Sequence, residues 1–296
     1  MAKYFKAFNK GMVCRGKQYE VGKEYEENGG DICGAGMMHF CETPFDTLDY
    51  YPLIDDNGEF SEFAEVEPLD EVAKDGNKCA SKKIRIGAKL SFKDFIKAGV
   101  DILIEKTNPE KIKDKDLSDN GGYGAKIGSS GDWAKIGSSG DWAKIGSSGY
   151  GAKIGSSGDR AKIGSSGYGA KIGSSGDWAQ IGSSGDWAQI GSSGDWAKIG
   201  SSGYGAKIGS SGDGAQIGSS GDGAKIKMTG KRSVGSAIGY NCSISGKKGD
   251  WIVLAEWKQD DNNNWYPACV KSGQIDGEVL KEDTMYRLEN GEFRCD

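Results

Sequence analysis

Histidine occurs once in 296 residues, at His39, and proline five times. A single imidazole rules out a Ser-His-Asp arrangement away from position 39 and any metal site built on several histidines. So little proline excludes proline-rich linkers and polyproline recognition segments. No Gly-x-x-x-x-Gly-Lys-Ser loop and no carboxylate set of the metal-nuclease kind occurs. Apolar stretches fall far short of the roughly 20 residues of a membrane-spanning helix. The opening Met-Ala-Lys-Tyr-Phe-Lys lacks the apolar run of a signal peptide, and seven cysteines, an odd number, read as reduced thiols. A soluble, cytoplasmic protein without membrane contact is expected. The net charge of −5 is mild, and neither half is basic enough to predict nucleic-acid binding from charge alone.

What the chain has in excess is glycine, 49 residues. Gly with Ser often marks disorder, but here both are periodic. Between Gly122 and Ile226 the unit Gly-Asp-Trp-Ala-Lys-Ile-Gly-Ser-Ser recurs about twelve times. A unit this short cannot bury its own apolar residues and must stack on copies of itself. Within a copy, Ala134 and Ile136 share one face of a strand while Lys135 points the other way. Gly-Ser-Ser-Gly-Asp supplies a corner. The fold class predicted is mainly β: a β-solenoid (β-helix) whose Ile side chains stack at about 4.8 Å. Two units would make a flattened coil, about six coils in all; three would make a triangular coil, about four. Small inward residues favour two units. The Tyr-Gly variants at Tyr123, Tyr150, Tyr168 and Tyr204 do not decide, since most fit a three-unit phase and Tyr168 breaks it.

Three regions follow: an N-terminal α+β domain over 1–110, solenoid repeats over 111–245, and a C-terminal β cap over 246–296. In the first, strands are expected at Lys3–Phe8, Met12–Val21, Phe63–Val66 and Lys83–Ile86. Thr43 would cap a short helix beginning at Pro44. Ser91–Lys106 is the best helix, its Phe92, Phe95, Ile96, Val100, Leu103 and Ile104 recurring near the 3.6 period. Open solenoid ends expose strand edges. The Ser91 helix is expected to cap one end. A hairpin module starting at Trp251, turning at Asp260–Asn264 and again at Asn290–Gly291, would close the other.

Two sets of residues carry candidate chemistry. Cys14, Cys33, His39 and Cys41 offer three thiolates and one imidazole, which would satisfy tetrahedral zinc. Their spacing is not that of a recognised knuckle, and free cysteines are readily buried, so an ordinary reduced core is the competing reading. The repeat offers columns: Lys126, Lys135, Lys144, Lys153, Lys162, Lys171, Lys198, Lys207 and Lys225, with Gln at the remaining positions, and Trp133, Trp142, Trp178, Trp187 and Trp196 beside the corners. Exposed Trp next to cations is the composition of interface hot spots. Aromatic stacking with Lys also holds single-stranded nucleic acid, and Trp packing over neighbouring corners is the structural alternative. Eight Asp stand against nine Lys and one Arg between residues 122 and 226, so the Asp and Lys columns nearly cancel. Calcium-binding nonapeptide solenoids share the period, but not the Gly-Gly-x-Gly-x-Asp pattern.

Two resemblances add to this. Gly36–Pro44 running on to Asp49-Tyr50-Tyr51, with Arg15-Gly16 upstream, resembles the NAD-binding core of ADP-ribosyltransferase-like folds; it implies an enzyme with the solenoid as targeting arm, Glu65 and Glu67 being the carboxylates at hand. The segments Lys6–Gly11, Cys14–Gly16, Tyr19–Lys23, His39–Glu42 and Asp49–Pro52, then Lys83–Ala88, Gly-Asp repeats and Gly249–Phe293, are similar to a family common in phages, prophages and gut bacteria. Met37-Met38 stands where that family usually has Gly-Phe. The likeness covers nearly the full length and brings neither catalytic residues nor a cofactor. It implies a non-enzymatic binding protein that docks on a host protein or ribonucleoprotein, a defence nuclease such as a CRISPR effector. Direct nucleic-acid binding and a role as phage structural protein are the alternatives.

Overall fold

A computed structural model describes residues 3–30, 36–107 and 122–295. It is mainly β, with an N-terminal α+β region, a solenoid and C-terminal strands. The chain divides into two compact units, with the break inside the helix over Phe92–Lys106: Met1–Asp55 with Glu59–Gly99, and Asp56–Gly58 with Val100–Asp296.

The first unit is built on an antiparallel sheet of seven strands in the order β4-β9-β6-β1-β5-β8-β7. These are β1 (Tyr4–Phe8), β4 (Glu24–Glu26), β5 (Met38–Cys41), β6 (Glu62–Pro68), β7 (Ala73–Asp75), β8 (Lys78–Ser81) and β9 (Lys83–Leu90); β2 (Val13–Cys14) and β3 (Lys17–Gln18) form a separate hairpin. Strand β1 is central, paired to β5 and β6, and Phe5 through Phe8 are buried on both faces. Thr43 caps a 3-10 helix over Pro44–Asp49, its hydroxyl accepting from the Asp46 amide at 3.2 Å. The helix α1 (Phe92–Lys106) begins where Ser91 Oγ accepts from the Asp94 amide. Phe95 on its first turns stacks on Phe63 at 3.7 Å and meets Phe45 at 5.9 Å.

The second unit holds the solenoid. Its strands pair in parallel with partners 18 residues on, Lys126 with Lys144 and Lys135 with Lys153. The coil therefore has two units, and about seven coils build two back-to-back parallel sheets. Inward Ile and Ala side chains form one continuous apolar core from Ile127 to Ile244. The tyrosine variants now fall into order: Tyr150, Tyr168, Tyr204 and Tyr240 differ by multiples of 18 and share one corner column, while Tyr123 sits in the other.

The corners are hydrogen-bonded as regularly as the strands. All eight repeat aspartates accept, through Oδ1, the backbone amide of the equivalent position one coil later, at 2.8–2.9 Å, from Asp132 with Tyr150 to Asp222 with Tyr240. From Gly149 on, each corner also opens on a glycine with no room for a side chain: a Cβ on Gly194 would lie 2.1 Å from the carbonyl oxygen of Gly176.

Inside the coils the second inward position is serine. The hydroxyls of Ser156, Ser174, Ser192 and Ser210 in one sheet, and of Ser147, Ser165, Ser183, Ser201 and Ser219 in the other, are buried with no hydrogen-bond partner among the described residues. A buried polar group left unpaired costs about 1–3 kcal/mol. Ser192→Ala should therefore raise stability by about 1 kcal/mol in urea denaturation; a comparable loss would mean that the hydroxyl is bonded in solution.

The C-terminal strands close both sheets. Trp251–Gln259 extends the first in parallel against Val234–Ala237, and Trp265–Gln274 returns antiparallel beside it. Tyr286–Glu289 pairs with Ser243–Ser245 and, through Asn290 and Gly291 at positive φ, with Glu292–Cys295, as a two-residue hairpin turn requires. The end-capping role expected of the Ser91 helix is corrected. A Cβ on Gly137 would lie 2.6 Å from the Ile104 backbone. Gly137 follows the inward Ile136, so the last turns of α1 cross the outer face of the second sheet, not the end of the stack.

Candidate functional site

The two-unit coil deals the repeat lysines into two columns. Lys126, Lys144, Lys162 and Lys198, with Gln180 and Gln216, stand on the outer face of the first sheet; Lys135, Lys153, Lys171, Lys207 and Lys225 belong to the second. The expectation that all of them project into solvent fails for Lys153 and Lys171, which are 3% and 5% exposed. The reason is cover over the second sheet. Val100–Ile104 of α1 lies over Gly137 and Gly155, and Lys225 Nζ and Lys227 Nζ donate to the carbonyls of Asp56 and Gly58 at 2.5 and 3.1 Å.

Among the described residues the first sheet has no such cover. Its lysines and glutamines are exposed, and beside them runs a strip of outward glycines, Gly128 to Gly218, at which an added Cβ would meet nothing within 4 Å. One nine-residue unit serves both sheets. Glycine at its seventh position lets α1 approach the second sheet and leaves the first bare. The result is a shallow groove of about 1090 Å³ with Lys144, Lys162 and Lys198 along one side and Gly164, Gly182 and Gly200 as floor.

The tryptophans occupy the left-handed position of each corner, at φ between 57° and 60°. Glycine takes that position freely, as at Gly151, Gly205 and Gly214, whereas a side chain there is strained by about 1 kcal/mol or more. Part of that strain is offset by stacking. Trp133, Trp187 and Trp196 each lie over the glycine of the next coil, and Trp178 stacks on Trp196 at 5.5 Å. Arg160 stands 5.0 Å over Trp142. Even so, all five tryptophans stay 40–54% exposed. Trp142, Trp178 and Trp196 edge the uncovered first sheet; Trp133 and Trp187 lie at the opposite corner. The aspartates keep their negative charge while each Oδ1 accepts from the backbone of the next coil, so they stay fixed at the corners.

The cysteine and histidine candidates lie in the other unit. Cys14, His39 and Cys41 line one pocket of about 290 Å³ in the N-terminal sheet domain, while Cys33 falls outside the described residues. Among the described residues no three His, Cys, Asp or Glu are grouped to hold a metal ion. The Tyr51 hydroxyl donates to Cys14 Sγ at 3.1 Å. Arg15 and Gly16, both at positive φ, form the tip of the β2–β3 hairpin at the pocket rim. Glu65 and Glu67 lie elsewhere, in ion pairs with Lys3 at 2.7 Å and Arg85 at 2.8 Å.

Lys6 is the residue that sequence reasoning missed. It lines the pocket at only 5% exposure, its Nζ donates to the His39 carbonyl at 2.9 Å, and the rings of Tyr19 and Phe8 lie 5.4 and 5.5 Å away. The signal was available: in Tyr4-Phe5-Lys6-Ala7-Phe8 strict alternation puts Lys6 on the Tyr4 and Phe8 face. Burial holds its ammonium below the ordinary value of 10.5. The folded chain then sheds this proton before the unfolded chain does, so the stability Lys6 withholds returns as pH climbs toward 10.5. Lys6→Met should accordingly stabilise the fold by about 1–3 kcal/mol near neutral pH, with the gain shrinking in alkali; thermal melts from pH 6 to 10 measure both.

Residues 2–98 match a family described as a domain of unknown function, DUF7666, a span that covers β1 to β9 and the first half of α1. No curated protein and no solved structure matches the chain. No helix among the described residues is long and apolar enough to cross a membrane.

Proposed function

We propose that this chain is a non-enzymatic binding protein that docks a host protein on the uncovered face of the first solenoid sheet. The groove of lysines and bare glycines carries this reading. Lysines at one-coil and two-coil separations, about 5 and 10 Å, give a cationic row along a flat floor. An acidic protein surface complements it in charge and shape. A stacked rod loses little conformational freedom on docking, which favours tight binding. The resemblance to a phage and prophage family supports the choice of a host defence nuclease, such as a CRISPR effector, as the partner.

The test is affinity capture from host lysate with the wild-type chain and with the triple variant Lys144→Glu, Lys162→Glu, Lys198→Glu. The expected result is recovery of a nuclease by the wild type alone. Equal recovery by both variants overturns the docking face. Retention of RNA or single-stranded DNA in its place, abolished by nuclease treatment, would make nucleic acid the partner. Detection of the chain in purified virions would make it a structural component.

A further inference from the structure

The N-terminal pocket belongs to a unit that the docking proposal does not use, and its lining is built for a different kind of ligand. Four cations line it, Lys6, Arg15, Lys17 and Lys78, against one carboxylate, Glu27, which is already paired with Lys17 at 2.5 Å. Lys6 is the informative one. Its ammonium is buried, no carboxylate pairs with it among the described residues, and what it bonds to is the His39 carbonyl and the Cys14 side chain. A buried charge without a counter-ion is costly to keep. Neither β1 nor the apolar cluster around Phe8 and Phe40 needs an ammonium there, since a methionine would fill the same space. Arg15 likewise has no acidic partner among the described residues and is carried to the rim by the hairpin turn.

The remaining walls are aromatic and held in place. Tyr19 packs against Phe8 at 5.4 Å and Tyr25 at 4.6 Å. Tyr50 at the rim is bonded to Asn77 at 2.7 Å, and Asn77 in turn donates to Asp49. Tyr51 is fixed by its bond to Cys14. A cavity of about 290 Å³ admits a metabolite and not a polymer.

We propose that this pocket binds a small planar organic anion, its carboxylate or phosphate end held by Lys6 and Arg15 and its flat body held against the tyrosines. Ammonium and guanidinium donors recognise either anionic group, so the experiment must separate the two sources. Full-length protein is titrated by calorimetry in three arms: aromatic carboxylates, nucleoside 5′-monophosphates, and inorganic phosphate. Saturable binding is expected in one of the first two arms, which identifies the anion, with inorganic phosphate at least 100-fold weaker because it has no body to stack. Arg15→Gly suits the positive φ of that position and should weaken binding at least tenfold. Lys6→Met should remove it, with the melting temperature reporting that the fold is intact. No saturable heat in any arm at millimolar ligand overturns the proposal. Binding that survives both substitutions unchanged overturns it equally.

Discussion

Gly194→Ala is expected to cost about 3 kcal/mol or more and to open the solenoid at one coil, although it adds a single methyl group. That methyl would sit 2.1 Å from the Gly176 carbonyl oxygen, 2.5 Å from its carbon and 3.0 Å from the Asp177 amide nitrogen. All three are backbone atoms of the preceding coil, and none can swing aside as a side-chain end could. Relief requires separating two coils that are bonded on both sides of the clash, through the Ser193 amide to the Ser174 carbonyl and the Asp195 amide to Asp177 Oδ1. Stability in a stacked array is a sum over neighbouring interfaces, so the damage should be local. Amide exchange should quicken around residues 176–213 and not at the C-terminal hairpins. Gly182→Ala is the control. Its methyl meets nothing within 4 Å, and removing a strand glycine recovers about 0.5–1 kcal/mol. Equal urea midpoints for the two variants would refute this account of why the corner opens on glycine.

The contrast between these glycines shows which parts of the molecule the sequence displays. The inward pairing of Ala and Ile was legible because it is a property of one strand, two residues apart. So were Thr43 as a cap and Asn290-Gly291 as a turn, since both are local signals. Relations between coils were hidden. The aspartate ladder exists only once position i faces position i+18, and from a single unit Asp132 looks like a solvated charge. Identical sequence also acquires different surroundings: Lys153 and Lys162 occur in the same Ala-Lys-Ile-Gly-Ser context, yet one is buried under cover and the other is exposed. No periodicity could separate them. In the N-terminal domain, β7 and β4 were missed because short, charged edge strands need not alternate; all three residues of Ala73–Asp75 are exposed, and only pairing with β8 makes them a strand. The candidate site was half visible. Cys14, His39 and Cys41 line one pocket, but the buried charge there is on Lys6, which reads as an ordinary polar residue in a strand.

Trp178→Ala is expected to weaken partner binding about 30-fold or more, while Trp187→Ala leaves it within about threefold. Truncating a hot-spot aromatic costs about 2–4 kcal/mol, and each 1.4 kcal/mol is a factor of about ten. The two side chains are matched in every local respect. Both follow Gly-Asp, both sit at a left-handed φ of 57–59°, and they are 48% and 46% exposed. They differ in position. Trp178 stacks on Trp196 at the corner leading into the uncovered first sheet, beside Gln180 and the Lys162–Lys198 row; Trp187 meets Tyr204 at the corner leading into the covered second sheet. Loss of intrinsic stability cannot mimic the difference, because each truncation removes one ring contact and leaves a residue with a Cβ at the same left-handed φ. Dissociation rates for the captured partner, measured on immobilised wild type and both variants, separate the outcomes: docking on the first sheet predicts a fast off-rate for Trp178→Ala alone, and equal effects at both corners would move the interface off that face.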